Sequence, residues 1–406
     1  MTEAFVLGSL RTPRGKAHAG GGLAGVSPLS LVEKLLGGLV HRLGLDPEAV
    51  DDVVLGSATQ VGAQGGNLAR TAVLTAGWPQ RVPGQSVNRF CASGIDAVAT
   101  ASALVKSGQA DLVVAGGVDS VSAVPMFADQ GPLWTDPAVV EAIGSVHMGI
   151  AADIAATELG LTRAELDAYG LRSQARAAAA WADGFYDSTV LPVRGPDGTI
   201  VLAHDEHVRA VTADQMAALP AAFAELGAGG QDALALRHLP GLAEIQHLHT
   251  RGTSPSLADG AGLVIVGTAE AAARAGLTPL ARVVGAASAG SDPVRMLAAG
   301  QIAIERALSR AGLTPADLDV VEFAEAFSAL CLKIQRELGF GEGRFNVNGG
   351  TIAMGHAFGA TGAILIGQAV EQLNRSGGRY GVAAVSGAAG LGSALLLENL
   401  TATSKG

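Results

Sequence analysis

Short runs of β-branched and aliphatic residues alternate along the chain with Ala-rich stretches of helical period, the pattern of an α/β protein. Residues 51–56, 111–116, 262–266, 319–323 and 381–385 read as strands, and so does a shorter run at 85–88. Helical spacing predicts helices over 28–43, 94–107, 163–183, 295–311 and 362–375. Between Pro192 and Gly230 the period is lost and polar, loop-forming residues take over.

The pattern repeats itself. Residues 42–54 (RLGLDPEAVDDVV) resemble residues 310–322 (RAGLTPADLDVVE), with Pro315 lying 268 positions after Pro47. The same offset brings Phe90-Cys91-Ala92-Ser93-Gly94 onto Phe358-Gly359-Ala360-Thr361-Gly362. Two matches in one register predict two similar α/β halves, each with a strand–turn–helix unit at an equivalent place. Residues from about 120 to 250 have no counterpart, which predicts an inserted lid or loop domain. The expected division is therefore 1–120 with 251–275, an insert at 121–250, and a second half at 276–406.

Composition narrows the choice of function. Of 406 residues 49% are hydrophobic and 16% charged, enough apolar material for large buried sheets. A net charge of −10 argues against nucleic acid or an anionic membrane as the main partner. Aromatics, at 4%, leave few platforms on which bases could stack. No run reaches the ~18 apolar residues of a membrane span, and the start, Met1-Thr2-Glu3-Ala4, does not read as a secretory signal. Two cysteines, Cys91 and Cys331, make neither a disulfide framework nor a metal pair. A reducing, cytoplasmic setting is expected.

Cys91 follows a short strand and precedes a helix, where unpaired N–H groups and the helix dipole favour a thiolate. Alone it reads equally well as a buried structural cysteine. His356 shifts that balance. It sits in a Gly-rich loop opening the helix that the repeat pairs with the one after Cys91, and a Cys beside a His is an activated nucleophile. Cys331, four residues after Phe327 on a predicted helix, reads as core. The histidines of His204-Asp205-Glu206-His207, His238 and His247-Leu248-His249 do not match a zinc spacing, so these stretches read as solvated loop and no metal is expected. The Gly-rich segments 20–22 and 62–66 lack the Lys-Ser/Thr of a phosphate loop.

Several motifs, in order, resemble those of the thiolase family over essentially the whole chain. They are Asn88-Arg89-Phe90-Cys91-Ala92-Ser93-Gly94, His147-Met148-Gly149, Glu325-Ala326-Phe327, the loop from Asn348 to Gly362, and the Gly-rich segment from Ser386 to Gly392. The variants Gly355-His356-Ala357-Phe358 and Ala388-Ala389-Gly390-Leu391-Gly392 look nearest to the β-oxidation, 3-ketoacyl-CoA type. The resemblance implies a five-layered α-β-α-β-α fold, a dimer or tetramer, and coenzyme A as substrate with no permanently bound cofactor. It implies acyl transfer through Cys91, in fatty acid metabolism, with His356 as activating group. Cys91, His356 and Ala388 would supply oxyanion holes, and His147, Met148, Ser254 and Phe327 would contact substrate. Arg163, Arg172, Arg209 and Arg237 are candidates for the CoA phosphates.

Two positions depart from the family. Ser386 stands where a second cysteine moves protons at the acetyl carbon, and a hydroxyl is too weak an acid for that task. Ala324 replaces the Asn or His that precedes Glu-Ala-Phe. Ala357 also replaces a customary proline. The reading that results is thiolase-type transfer, weakened or redirected in its carbon–carbon step. The alternatives are an acyltransferase without that step and a non-catalytic scaffold subunit.

Overall fold

The computed structural model describes residues 2–400. The N-terminal half contains β1 (Phe5–Arg11), α1 (Pro28–Leu43), β2 (Asp52–Gly56), α2 (Leu68–Thr75), β3 (Gln85–Val87), α3 (Ser93–Ser107) and β4 (Leu112–Ser120). After the insert, which carries α4 (Met148–Glu158) and α5 (Arg163–Ala182), comes β5 (Ala258–Gly267). The C-terminal half holds β6 (Ala281–Gly290), α6 (Ala299–Ala311), β7 (Leu318–Phe323), α7 (Ser328–Leu338), α8 (Phe358–Ser376), β8 (Tyr380–Ser386) and β9 (Leu391–Asn399).

Local chemistry sets the helix ends. Ser27 caps α1 by accepting from the Ser30 N–H at 3.1 Å, and Gly44, at φ 76°, ends it in the left-handed region that glycine adopts without strain. Thr162 and Glu165 form a reciprocal capping box at the start of α5.

The strands run in the order β7-β8-β9-β6-β1-β5-β4-β2-β3. Strand β2 is parallel to β4 and β7 is parallel to β8, while the pairs nearer the middle are antiparallel. The two halves meet at β1 and β6 through only Phe5↔Arg282 and Val6↔Ala281, so the sheet is two sheets joined at a seam. About that seam β1-β5-β4-β2 mirrors β6-β9-β8-β7, the arrangement the repeat predicts.

Three apolar cores hold five layers together, the central one filling both faces of the middle helical layer. The central core packs Val54, Val113 and Val264 from one sheet and Val320, Ala383 and Leu395 from the other around α3 and α8. Leu31, Leu35 and Leu39 of α1, with Val73 of α2, cover the outer face of the N-terminal sheet. Ile304 and Leu308 of α6, with Leu330 and Ile334 of α7, cover the other. Cutting Leu35 back to Ala would cost about 2–5 kcal/mol at such a site.

In the middle layer α3 and α8 touch backbone to backbone. A Cβ on Gly94 would lie 2.4 Å from the Gly359 carbonyl oxygen, and one on Gly362 would lie 2.2 Å from the Ile95 nitrogen. The repeat pairs these same two glycines. Close packing of the paired helices thus brings both helix starts, with Cys91 and His356, to one place.

Three expectations need correction. The helix expected over 295–311 starts only at Ala299, because Met296 takes φ 53° and residues 295–298 turn instead. The helix expected from 362 starts four residues earlier, at Phe358. The histidine stretches are not solvated loop. Asp205 is buried between Arg11 (2.8 Å) and Arg14 (3.4 Å), while Asp153 on α4 accepts from His249 (2.8 Å) and His247 (2.9 Å). The Arg11 and Arg14 pairs tie the insert to the body of the fold, while the Asp153 pairs join two parts of the insert to each other. The segment 137–158 is apolar and long enough to cross a membrane, but Gly144 at φ 69° breaks it into two helices.

Candidate active site

Cys91 lies in a tight turn between β3 and α3. Asn88 donates through Nδ2 to the Ala58 carbonyl at 3.1 Å, and the Arg89 N–H donates to Ser93 Oγ at 2.8 Å. Ser93 Oγ in turn donates to the Phe90 carbonyl at 2.6 Å. Phe90 is held at φ 48°, a conformation costly for a bulky side chain. The turn leaves Cys91 half-buried at the wall of a cavity of about 200 Å³.

Entry into α8 builds the opposite wall. The His356 backbone bonds to the segment before β5, its N–H donating to Ser256 O at 2.8 Å and its carbonyl accepting from Ala258 N at 3.2 Å. Its Nδ1 lies 2.8 Å from Thr361 Oγ1, and Nε2 has no partner among the described residues. Burial first, then the charge of Arg14, pushes the imidazole down to about 3, so it is neutral at physiological pH. Arg14 is fully buried and also donates to the Gly355 carbonyl at 3.2 Å.

The same forces act on Cys91 in the opposite sense. Burial, then the charge of Asp119, pushes the thiol up to about 12, while the N–H groups of Cys91 and Ala388 pull it down. Burial and a nearby carboxylate thus oppose the helix N-terminus, which favours the thiolate. Asp119 accepts from Ala58 N (2.9 Å), Gly359 N (2.6 Å) and Gln64 Nε2 (2.7 Å), tying both halves together behind the cysteine.

Ser386, at the end of β8, also lines the cavity, but its hydroxyl is committed. It donates to Leu297 O at 2.7 Å and accepts from Gly300 N at 3.0 Å, which caps α6. Ala324 is fully buried in the central core and does not line the cavity.

Residues 4–230 match the thiolase N-terminal domain and residues 277–399 the thiolase C-terminal domain. The chain belongs to the thiolase family. A beta-ketoadipyl-CoA thiolase of Escherichia coli is 36% identical over 424 aligned residues, covering 98% of this chain and 100% of that one. The Bacillus anthracis acetyl-CoA acetyltransferase structure superposes with a TM-score of 0.85 at 31% identity, covering 98% of this chain and 99% of that one. Human mitochondrial 3-ketoacyl-CoA thiolase gives 0.84 at 30%, with the same coverage. The protein is an acyl-CoA acyltransferase of the thiolase type.

In this thiolase Cys91, His356, Ser386 and Ala388 line one cavity with His147, Met148, Ser254 and Phe327. His147 caps α4, its Nδ1 accepting from Gly149 N at 3.0 Å, and burial pushes its ring down in pKa. Ser254 Oγ is buried without a hydrogen-bond partner among the described residues. Cys331 is core. The arginines considered for CoA phosphates are mostly engaged: Arg163 pairs with Asp167, Arg172 with Glu342 and Arg237 with Glu141. Of the four, only Arg209 has no ion pair among the described residues.

Several cavity or supporting residues escaped the sequence reading. Phe223, Leu297 and Met126 line the cavity, and Glu325 does not. Glu325 instead accepts from Ser173 (2.6 Å), Tyr169 (2.9 Å) and the Ile352 N–H (3.1 Å), fixing the short helix that leads to His356. Thr361 had a usable signal, because the repeat pairs it with Ser93, whose hydroxyl fastens the other turn.

Proposed function

We propose that this enzyme cleaves 3-ketoacyl-CoA, or runs the reverse condensation, through an acyl-Cys91 intermediate. The observation that carries the reading is the convergence of Cys91, neutral His356 and the Ala388 N–H on one cavity. His356 Nε2 takes the Cys91 proton as the sulfur attacks the C3 carbonyl, and the N–H groups of Cys91 and Ala388 hold the oxyanion. The C2–C3 bond then breaks. Its electron pair goes to C2, which takes up the proton held on His356 to give acetyl-CoA and leaves the imidazole neutral again. A second CoA thiol attacks the acyl-cysteine, forming the shortened acyl-CoA and returning the proton to sulfur. The raised thiol beside a neutral imidazole able to take its proton fits this order of events.

A second reading is transfer of acyl groups without the carbon–carbon step. What favours it is Ser386, whose proton points to Leu297 O rather than to a substrate carbon. The insert at 121–250 is taken as the lid over CoA, and a cytoplasmic homo-oligomer remains the expected form. Names among the relatives cover an acyl-CoA with a terminal carboxylate, beta-ketoadipyl-CoA, as well as acetyl-CoA, so family membership leaves the acyl class open.

Intact-protein mass after mixing with acetyl-CoA and acetoacetyl-CoA tests the proposal. An acetyl adduct absent in Cys91→Ala, with CoA-dependent cleavage of acetoacetyl-CoA, is the expected result. An adduct without cleavage selects the second reading. No adduct from any acyl-CoA rejects both and leaves a scaffold role.

A further inference from the structure

Cys91 stands between two cavities. Beside the main cavity lies a recess of about 30 Å³ that shares Cys91, Met126, Met148, Phe358 and Ala388 with it but is not lined by His356. The main cavity holds the polar groups suited to an amide-bearing pantetheine arm, among them His147 and the unpartnered Ser254 Oγ. If the arm lies there, a group bonded to Cys91 has the recess to enter.

The recess is walled by aromatic rings. Trp134 stands 4.6 Å from Phe127 and 5.8 Å from Phe90, centroid to centroid. Phe90 reaches it because of its left-handed backbone, and Phe358 closes the side toward α8. Thr59 is the one uncharged polar residue in the wall. Asp129, exposed, is the one charged residue, and no Lys, Arg or His lines the recess among the described residues. A carboxylate on the end of an acyl chain would lose water to these rings, find no cation and meet a charge of its own sign.

We propose that the Phe90–Phe127–Trp134 recess is the acyl pocket of this enzyme and that it accepts a short acyl chain with an uncharged end, discriminating against a terminal carboxylate. The inference rests on Cys91 carrying the acyl group.

The test needs no carbon–carbon chemistry. Butanoyl-CoA and succinyl-CoA have the same chain length and differ by a terminal carboxylate. With either, Cys91 sulfur bonds to the thioester carbonyl carbon, the carbonyl–CoA sulfur bond breaks, and CoA leaves as thiol with the proton that Cys91 gave up. Rapid quenching of the full chain followed by intact mass reads the two adducts separately, with acetyl-CoA as reference. Butanoylation should outrun succinylation by about tenfold or more, the size of discrimination that one side-chain-sized difference gives in an apolar pocket. Asp129→Lys should narrow the ratio by speeding succinylation, and Trp134→Ala should narrow it by slowing butanoylation. Succinylation as fast as butanoylation in the wild type would overturn the inference. So would a ratio that neither variant moves, or labelling by acetyl-CoA alone, since the recess would then admit no chain. Absence of every adduct, acetyl included, would instead reject the acyl-cysteine reading on which it stands.

Discussion

The turn that enters α3 and the turn that enters α8 are the same structure put to different uses. Both place a phenylalanine at positive φ where the chain enters the helix, Phe90 at φ 48° ahead of α3 and Phe358 at φ 23° as the first residue of α8, and both have a hydroxyl residue three positions on, Ser93 and Thr361. Where the first has Cys91, the second has Gly359. A Cβ on Gly359 would lie 2.8 Å from Asp119 Oδ2 and 2.8 Å from the Ser57 Cα, so this turn has no room for a second nucleophile. The Gly359 N–H is spent on Asp119, whereas the N–H groups near Cys91 and Ala388 remain directed at the sulfur. The repeat thus presents two helix starts to one cavity, and the packing of a buried carboxylate leaves room for a nucleophile at only one of them. The other contributes the imidazole.

The sharpest way to break this division of labour is Cys91→Ala. It should abolish the acyl adduct and lower turnover by on the order of 10⁴-fold or more, as loss of a covalent nucleophile does. Because the resting thiol is pushed up to about 12, alkylation of wild-type Cys91 by iodoacetamide should rise about tenfold per pH unit from pH 6 to 9. A plateau near pH 7 would show that the helix dipole wins after all.

His356→Asn, on the other side of the comparison, should cost on the order of 10²–10⁴-fold in the acylation rate, the usual range for a general base. It should also change acid stability. Between about 3 and the ordinary 6.5 the unfolded chain binds a proton that the buried imidazole refuses, so stability falls as pH drops through that window. The Asn variant should lose less of its Tm between pH 7 and 5 than the wild type, measured by thermal unfolding.

Ser386→Cys comes next in size. A thiol can exchange protons near neutral pH where a hydroxyl cannot, so acetoacetyl-CoA cleavage should rise by about tenfold or more. The same change removes a helix cap, at a cost of about 0.5–2 kcal/mol, so Tm should fall slightly while rate rises. Unchanged cleavage would locate the limit at Ala324 or in the shape of the pocket.

What the sequence revealed and what it hid follow from how far apart the interacting groups are. The Cys91 and His356 turns were legible because each is written in a handful of adjacent residues, and the repeat showed that their helices meet. The commitment of the Ser386 hydroxyl to Leu297 and Gly300 was not, since nothing near Ser386 signals a cap for a helix almost 90 positions earlier. Arg14 lies 341 residues from the Gly355 carbonyl it holds, and Asp205 sits in a tract that is polar by composition yet buried by ion pairing. The thiol's protonation state depends on Asp119, which reaches the site only through the fold. Helix-terminus reasoning alone therefore leaves out that charge and the burial that outranks it.

The finest test compares the paired hydroxyls, Thr361 and Ser93. Thr361 Oγ1 meets His356 Nδ1 at 2.8 Å and so holds the ring in place, whereas among the described residues Ser93 Oγ bonds only backbone groups of its own turn. Thr361→Val keeps the shape and removes the hydrogen bond, worth about 1 kcal/mol net. It should slow acylation by roughly fivefold to tenfold with little change in KM, and shift the acid limb of the pH–rate profile. Ser93→Ala should lower Tm through the loosened turn, with no movement of that limb. If both variants act on stability alone, the two hydroxyls are equivalent fasteners and His356 is oriented by its backbone bonds to Ser256 and Ala258. If only Thr361→Val moves the acid limb, the second turn has turned an inherited structural hydroxyl into part of the base.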